Sequence, residues 1–256
     1  MKPLLIEKFL EGKTALITGS SRGLGREYAN VFSQAGADII INYQNNKEEA
    51  KNTRELVEAN GCRALIYKAD VSDGNQVKAM VEDALVNFSK IDILINNAGH
   101  SQPKFFLDIT EVEWDRMINV HLKGAYNCCR YVVPQMIERR QGKIINMSSL
   151  IGKSGGPWAG THYGTVKAGI IGMTKSLANQ LGPYNINVNA VAPAFVITEM
   201  SNWRTPEQLR AHREMTAFKR TGNTLEAAYA TLYLASPYSD YITGFTMDIG
   251  GGAYMD

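Results

Sequence analysis

The sequence predicts an α/β protein built on a doubly wound parallel sheet of about seven strands with helices on both faces. Three observations carry that expectation. Short β-branched runs alternate with longer amphipathic segments from Lys13 onward, a βαβα rhythm. The runs are nearly all apolar, as strands covered on both faces should be. A glycine-rich turn joins the first run directly to the first amphipathic segment.

In chain order, strands are expected at 14–18, 38–42, 63–68, 91–96, 142–148, 185–191 and 246–249. Helices are expected at 24–35, 47–59, 74–88, 111–139 and 161–181. No Pro/Ser-rich linker or internal repeat divides the pattern, so one domain over 1–256 is expected. Residues 194–222 are the exception, holding Trp203, Arg204, Pro206 and several charges without a core periodicity. They read as an insertion above the sheet, either a mobile lid over a ligand or a solvated surface helix.

Composition narrows the function classes. With 27 basic against 25 acidic side chains, the chain lacks the charge excess of a nucleic-acid binder, and 45% hydrophobic residues argue against disorder. Cys62, Cys128 and Cys129 have neither a disulfide framework nor metal-ligand spacing, so reduced thiols and no metal are expected. Glu7, Lys8, Glu11 and Lys13 break the apolar residues at the start before a membrane-length run develops. A cytoplasmic protein without a membrane span is expected.

The turn Gly19-Ser20-Ser21-Arg22-Gly23-Leu24-Gly25 carries the first chemical signal. Glycines remove the Cβ atoms that would keep a pyrophosphate from backbone N–H groups, and the helix that follows adds a partial positive charge at its N-terminus. That is the outline of a Rossmann-type dinucleotide site. A NAD-preferring site would place a carboxylate at the end of the second strand, where this chain has Asn42, Tyr43 and Gln44. Arg22 could pair with a 2′-phosphate. NADP(H) is therefore favoured, with use of both NADP(H) and NAD(H) as the alternative.

Tyr163 and Lys167 stand four apart, so on a helix they share a face. A phenol of pKa about 10 is a poor base at neutral pH, and a neighbouring ammonium would bring it toward a useful range. The run 144–147 reads as a buried strand ending in Ser148 and Ser149, and strand ends are where open α/β sheets hold ligands. A serine there could bond a substrate oxygen as charge develops on it.

With these segments on the page, the chain resembles the short-chain dehydrogenase/reductase family over nearly its whole length. Thr18 to Gly25 resembles the family's T-G-x-x-x-G-x-G, Asn96-Asn97-Ala98-Gly99 its N-N-A-G, and Tyr163 to Lys167 its Y-x-x-x-K. The resemblance implies a proton-exchanging Tyr163, a Lys167 that lowers its pKa and binds the nicotinamide ribose, and a substrate-holding Ser149, chosen over Ser148 because Ser149 to Gly152 fits S-x-x-G. It implies Asn119 as the helix asparagine that anchors a proton-supplying water. It also implies that Asp70 and Val71 edge the adenine, and that Asn97, Ala98 and Gly99 line the dinucleotide site. Where the family commonly has Pro-Gly after the sixth strand, this chain has Pro193-Ala194, followed by Phe195, Val196, Ile197 and Thr198. Thr198 is expected at the carboxamide, and Ala194 would be strained if the backbone there needed positive φ.

The segments 42–43, 219–222 and 242–245 are most similar to the branch of 3-oxoacyl-acyl carrier protein reductases and glucose dehydrogenases. The resemblance implies hydride transfer between a nicotinamide and a carbonyl or secondary alcohol, with a ketoreductase expected first. A polyol or sugar dehydrogenase using NAD(P)+ is the alternative, and a non-catalytic dinucleotide sensor the alternative of another class. His100, Trp158, His162, Phe195 and Trp203 are candidate pocket residues and favour a compact or cyclic ketone. Arg204, Arg210, Arg213, Lys219 and Arg220 offer a carrier-protein docking face as another reading. The family habit and the Gly/Ala-rich helices imply a homotetramer.

Overall fold

Period-two alternation in the strands decides how the layers are built. In β1 (Thr14–Ile17), Ala15 and Ile17 join one core while Leu16 joins the other. In β2 (Asp38–Tyr43), Ile39, Ile41 and Tyr43 face the first core and Ile40 the second. The computed structural model describes residues 8–156, 159–198 and 204–255, and within them both sheet faces are buried.

The helices that close the two cores are α1 (Gly23–Gln34), α2 (Lys47–Ala59) and α9 (Thr224–Ala235) on one face. On the other lie α3 (Gly74–Phe88), α5 (Gly124–Arg139) and α7 (Thr161–Leu181). The remaining strands are β3 (Ala64–Lys68), β4 (Ile93–Asn96), β5 (Gly142–Met147), β6 (Ile186–Pro193) and β7 (Thr246–Ile249). All pair in parallel, in the order β3-β2-β1-β4-β5-β6-β7. Strand order reverses between β1 and β4, and ligands of open α/β sheets bind in the crevice at such a point.

The expected elements form with small boundary shifts and one instructive difference. The helix expected over 111–139 is α4 (Glu111–Met117), a π-helical turn at Ile118–Lys123, and then α5. Widened turns of this kind occur mostly at functional sites, because the extra residue re-aims the side chains around it. The structure adds a short α6 (Ile151–Ser154) and the core helix α9, neither expected from the sequence, and places α8 (Pro206–Met215) inside the insertion. Ala194 has no positive φ, so its methyl group brings none of the strain considered above. No helix among the described residues is long and apolar enough to cross a membrane. Cys128 and Cys129 are buried free thiols, and burial pushes the Cys129 pKa up to about 12.

Candidate active site

A cavity of about 960 Å³ runs along the C-terminal ends of the strands. One half is shaped by the turn between β1 and α1. Gly19 and Gly23 have φ of 62° and 57°, and a Cβ on Gly25 would lie 2.3 Å from the Gly19 carbonyl oxygen. The helix therefore starts closer to the turn than any side chain permits, leaving its N-terminal N–H groups open to an anion. Ser21, Arg22 and Leu24 line the same half, with Arg22 as the N-cap residue of α1.

Two asparagines fasten this half. Asn42 Oδ1 accepts from Gly19 N at 3.1 Å while its Nδ2 donates to the Ala69 carbonyl at 3.0 Å. Asn97 Nδ2 donates to the carbonyls of Thr18 and Gly19. Asp70, Val71, Ala98 and Gly99 line the wall beside them, as do Pro193, Val196 and Thr198 across the cavity. The described residues therefore fit a dinucleotide, with a side-chain-free cradle at one end and Ser149, Tyr163 and Lys167 at the other. No carboxylate occurs from Asn42 to Asn46, and Gln44, Asn45 and Asn46 line the cavity near Arg22.

The second half holds the acid–base groups. Ser149 follows β5, and its Oγ accepts from Ile151 N at 3.2 Å. Tyr163 projects from α7 beside Ser149. Ser148 instead donates to the Lys167 carbonyl at 2.8 Å and so braces the helix, which supports Ser149 as the substrate-facing serine. Burial raises the Tyr163 pKa above its usual value, and Ser149 and the Arg204 charge only partly offset this. Lys167 Nζ donates to the Met147 carbonyl at 2.6 Å and lies 5.5 Å from the Tyr163 ring centre. Burial pulls the Lys167 pKa down to about 8.

Arg204 belongs to the insertion. Its guanidinium lies 4.5 Å from the Phe195 ring centre and bonds His212 Nε2, while His212 stacks on Phe195 at 4.7 Å. Burial and the Arg204 charge bring the His212 pKa to about 4, so the ring is neutral at physiological pH. Sequence reasoning singled out Arg204 as one of a basic group and missed its place beside Tyr163. Among the others, Lys219 pairs with Glu214 and Arg220 with Glu226.

Two expectations need correction. Tyr43 does not line the cavity, because it shares the strand parity of Ile39 and Ile41 and buries its ring in the core. Asn119 lies on the π-helical turn, and His121, two positions on, lines the cavity and stands edge-on to Tyr163 at 5.7 Å. His162 is fully buried behind the wall, with its ring nitrogen 3.4 Å from Gln102 Oε1, instead of facing a ligand. His100 and Phe195 do line the cavity, while Trp158 and Trp203 lie outside the described residues.

A model of the family described as enoyl-(acyl carrier protein) reductase matches residues 19–254. The 3-oxoacyl-(acyl-carrier-protein) reductase FabG of Staphylococcus epidermidis is 38% identical over 243 residues, spanning 95% of this chain and 99% of its own. The protein of that name in Thermotoga maritima is 41% identical over 247 residues, spanning 95% and 98%. A solved 3-oxoacyl-(acyl-carrier protein) reductase of Brucella melitensis superposes with a TM-score of 0.94 at 35% identity, covering 100% of this chain and 97% of that one. A second structure from that organism, with bound NAD, gives 0.92 at 35% identity over the same shares. The chain belongs to the short-chain dehydrogenase/reductase family. It is an oxidoreductase that transfers hydride between a nicotinamide dinucleotide and a carbonyl or CH–OH group.

Proposed function

We propose that this chain works as an NADP(H)-dependent ketoreductase on 3-oxoacyl thioesters or compact ketones, with residues 194–222 as a substrate lid on a single catalytic domain. The observation that carries the reading is the Tyr163 phenol, half-buried beside Ser149 at one end of a cavity whose other end is a glycine cradle. Burial keeps the phenol protonated at neutral pH, which suits a group that must give a proton to a reduced carbonyl oxygen. The dinucleotide, bound along the cavity, supplies the hydride. Ser149 bonds the substrate oxygen, and Tyr163 donates its proton to that oxygen as negative charge grows there. The phenolate left behind is stabilised by the charges of Arg204 and Lys167. The test is loss of reduced-nicotinamide absorbance with a panel of 3-oxoacyl thioesters, cyclic ketones and keto sugars. Turnover confined to keto sugars would favour the sugar-dehydrogenase reading, and tight dinucleotide binding without any turnover would favour a sensor.

NADP(H) is preferred over NAD(H) because no carboxylate at the end of β2 repels a 2′-phosphate and Arg22 lines that end. Arg22→Ala should lower kcat/KM for NADPH by about tenfold or more, the worth of one charge-assisted bond. The value for NADH should be nearly unchanged. Equal losses with both cofactors would remove Arg22 from the phosphate site.

The Lys167 pKa sets an alkaline limit. The group is charged below about pH 8 and neutral above it, so kcat/KM for reduction should fall as pH rises through that value. A pH–rate profile flat to pH 10 would show that the ammonium does not contribute, and Lys167→Arg should move the limb upward.

A homotetramer in the cytoplasm completes the proposal. Phe105, Phe106, Leu107 and Val112 around the start of α4, and Tyr126 on α5, are exposed apolar side chains that support burial between copies. Sedimentation velocity at micromolar concentration should give a tetramer; a monomer would overturn this part.

A further inference from the structure

Arg204 brings a positive charge into the substrate end of the cavity on two neutral supports. It stands directly before Thr205, the N-cap of α8, and is half-buried in the cavity wall. Its guanidinium carbon lies 4.5 Å from the centre of the Phe195 ring, and Nη1 bonds His212 Nε2. His212 lies nearly parallel to that ring, with 16° between the planes, so the three side chains form one block. A phenyl face and a neutral imidazole hold a guanidinium in place without cancelling its charge. Burial first, and the Arg204 charge second, bring the His212 pKa to about 4, so the support stays neutral throughout the physiological range.

The Arg204 charge is felt at the reacting group. It lowers the pKa of the Tyr163 phenol, and the phenol in turn favours the charged guanidinium. The cation and the proton donor therefore share the end of the cavity that Ser149 lines. Its direction separates Arg204 from the other basic residues of 194–222. Arg210 and Arg213 are exposed and outside the cavity wall, and Arg220, which does line the cavity, is paired with Glu226. Asp248 also lines the cavity and carries its own cation, Lys153 at 2.8 Å, which weakens its repulsion of an incoming anion.

We propose that Arg204 sets the substrate class: this enzyme reduces a short oxo acid whose free carboxylate pairs with the Arg204 guanidinium while its ketone oxygen meets Ser149 and Tyr163. The proposal deepens the ketoreductase reading and rests on it. A guanidinium offers two parallel N–H donors that match the two oxygens of a carboxylate, a fit that an ester or thioester carbonyl lacks in both charge and shape. Because Arg204 and Tyr163 act on each other, an anion on the first and a ketone on the second must belong to one short molecule. Leu150 and Ile151, which follow Ser149 in the wall, offer apolar surface to the carbons between them. The chemical step is unchanged. Hydride from the dinucleotide adds to the ketone carbon, the Tyr163 proton goes to its oxygen, and the carboxylate takes no part beyond fixing which ketone is held.

The experiment compares wild type, Arg204→Gln and Arg204→Lys on acetoacetate and levulinate and on the methyl ester of each, with NADPH. Esterification removes the charge and leaves the ketone, so the acid-to-ester ratio of kcat/KM isolates the carboxylate contact. Arg204 also acts on Tyr163, so Arg204→Gln should slow acid and ester alike, and the ratio cancels that shared loss. Wild type should favour at least one acid over its ester by about tenfold or more. Arg204→Gln should cut that ratio by about tenfold or more, chiefly through KM for the acid. Arg204→Lys should restore part of it, keeping the charge without the fork. The proposal is overturned if wild type turns over the esters, or the acetoacetyl thioester of N-acetylcysteamine, as well as the acids. It is equally overturned if Arg204→Gln lowers acid and ester by the same factor. Calorimetric titration of the enzyme–NADP+ complex with each acid and ester makes the same comparison without turnover. A wild type inactive on every ketone would overturn the proposed function, whereas acid affinity unchanged by Arg204→Gln would overturn the role of Arg204.

Discussion

Tyr163→Phe should reduce turnover by about 10²–10⁴-fold while leaving the dinucleotide Kd close to wild type. The substitution removes one oxygen from a side chain whose ring is already packed edge-on by His121, so the cavity keeps its shape. What disappears is the proton donor beside Ser149. Because burial keeps the phenol protonated, the loss should fall on kcat in the reductive direction, with KM changed much less. Ser149→Ala should lower kcat by a smaller factor, since the substrate oxygen would retain the Tyr163 bond. Steady-state kinetics of both variants beside fluorescence titration with NADPH would check this. A Tyr163→Phe enzyme with near-normal kcat would mean that another group delivers the proton.

Gly25→Val should abolish dinucleotide binding and destabilise the fold. Even the first carbon of a side chain at this position would lie 2.3 Å from the Gly19 carbonyl oxygen, 2.7 Å from Ser20 Cα and 2.8 Å from Asn97 Nδ2. Two of these are backbone atoms, which cannot rotate away. The turn or the first turn of α1 must shift, and overpacking of this kind costs about 1–3 kcal/mol. The same shift carries the helix N-terminus away from the position where it meets a pyrophosphate. Thermal unfolding should show the lowered stability, and calorimetry with NADPH the lost affinity. Binding that survives unchanged would remove the glycine cradle from the dinucleotide site.

Most of the framework could be read from residue type and period. The β-branched runs at 14–18 and 38–42, the glycine turn between them and the Tyr163/Lys167 spacing are local signals, and each formed where expected. Tyr43 was misplaced because it was judged by its position at a strand end. Counting parity from Ile39 and Ile41 would have turned it into the core. Asn119 rests on the resemblance to the family's helix asparagine, which period alone does not reach. The buried positions Met117, His121, Ala125, Cys128, Val132 and Met136 recur at intervals of three and four. That stripe points His121 inward and leaves Asn119 off it. The π-helical turn itself, and the stacking of Arg204, Phe195 and His212, depend on tertiary packing and leave no periodic trace.

Direct hydride transfer is the central claim, and isotope transfer tests it most directly. The wild-type enzyme would be incubated with NADPH carrying deuterium at both C4 positions and a 3-oxoacyl thioester or cyclic ketone, and the product analysed by mass spectrometry. The account predicts an alcohol with one deuterium on its carbinol carbon, formed by wild type and nearly absent with Tyr163→Phe. An alcohol without deuterium, or deuterated product formed equally by both proteins, would contradict it.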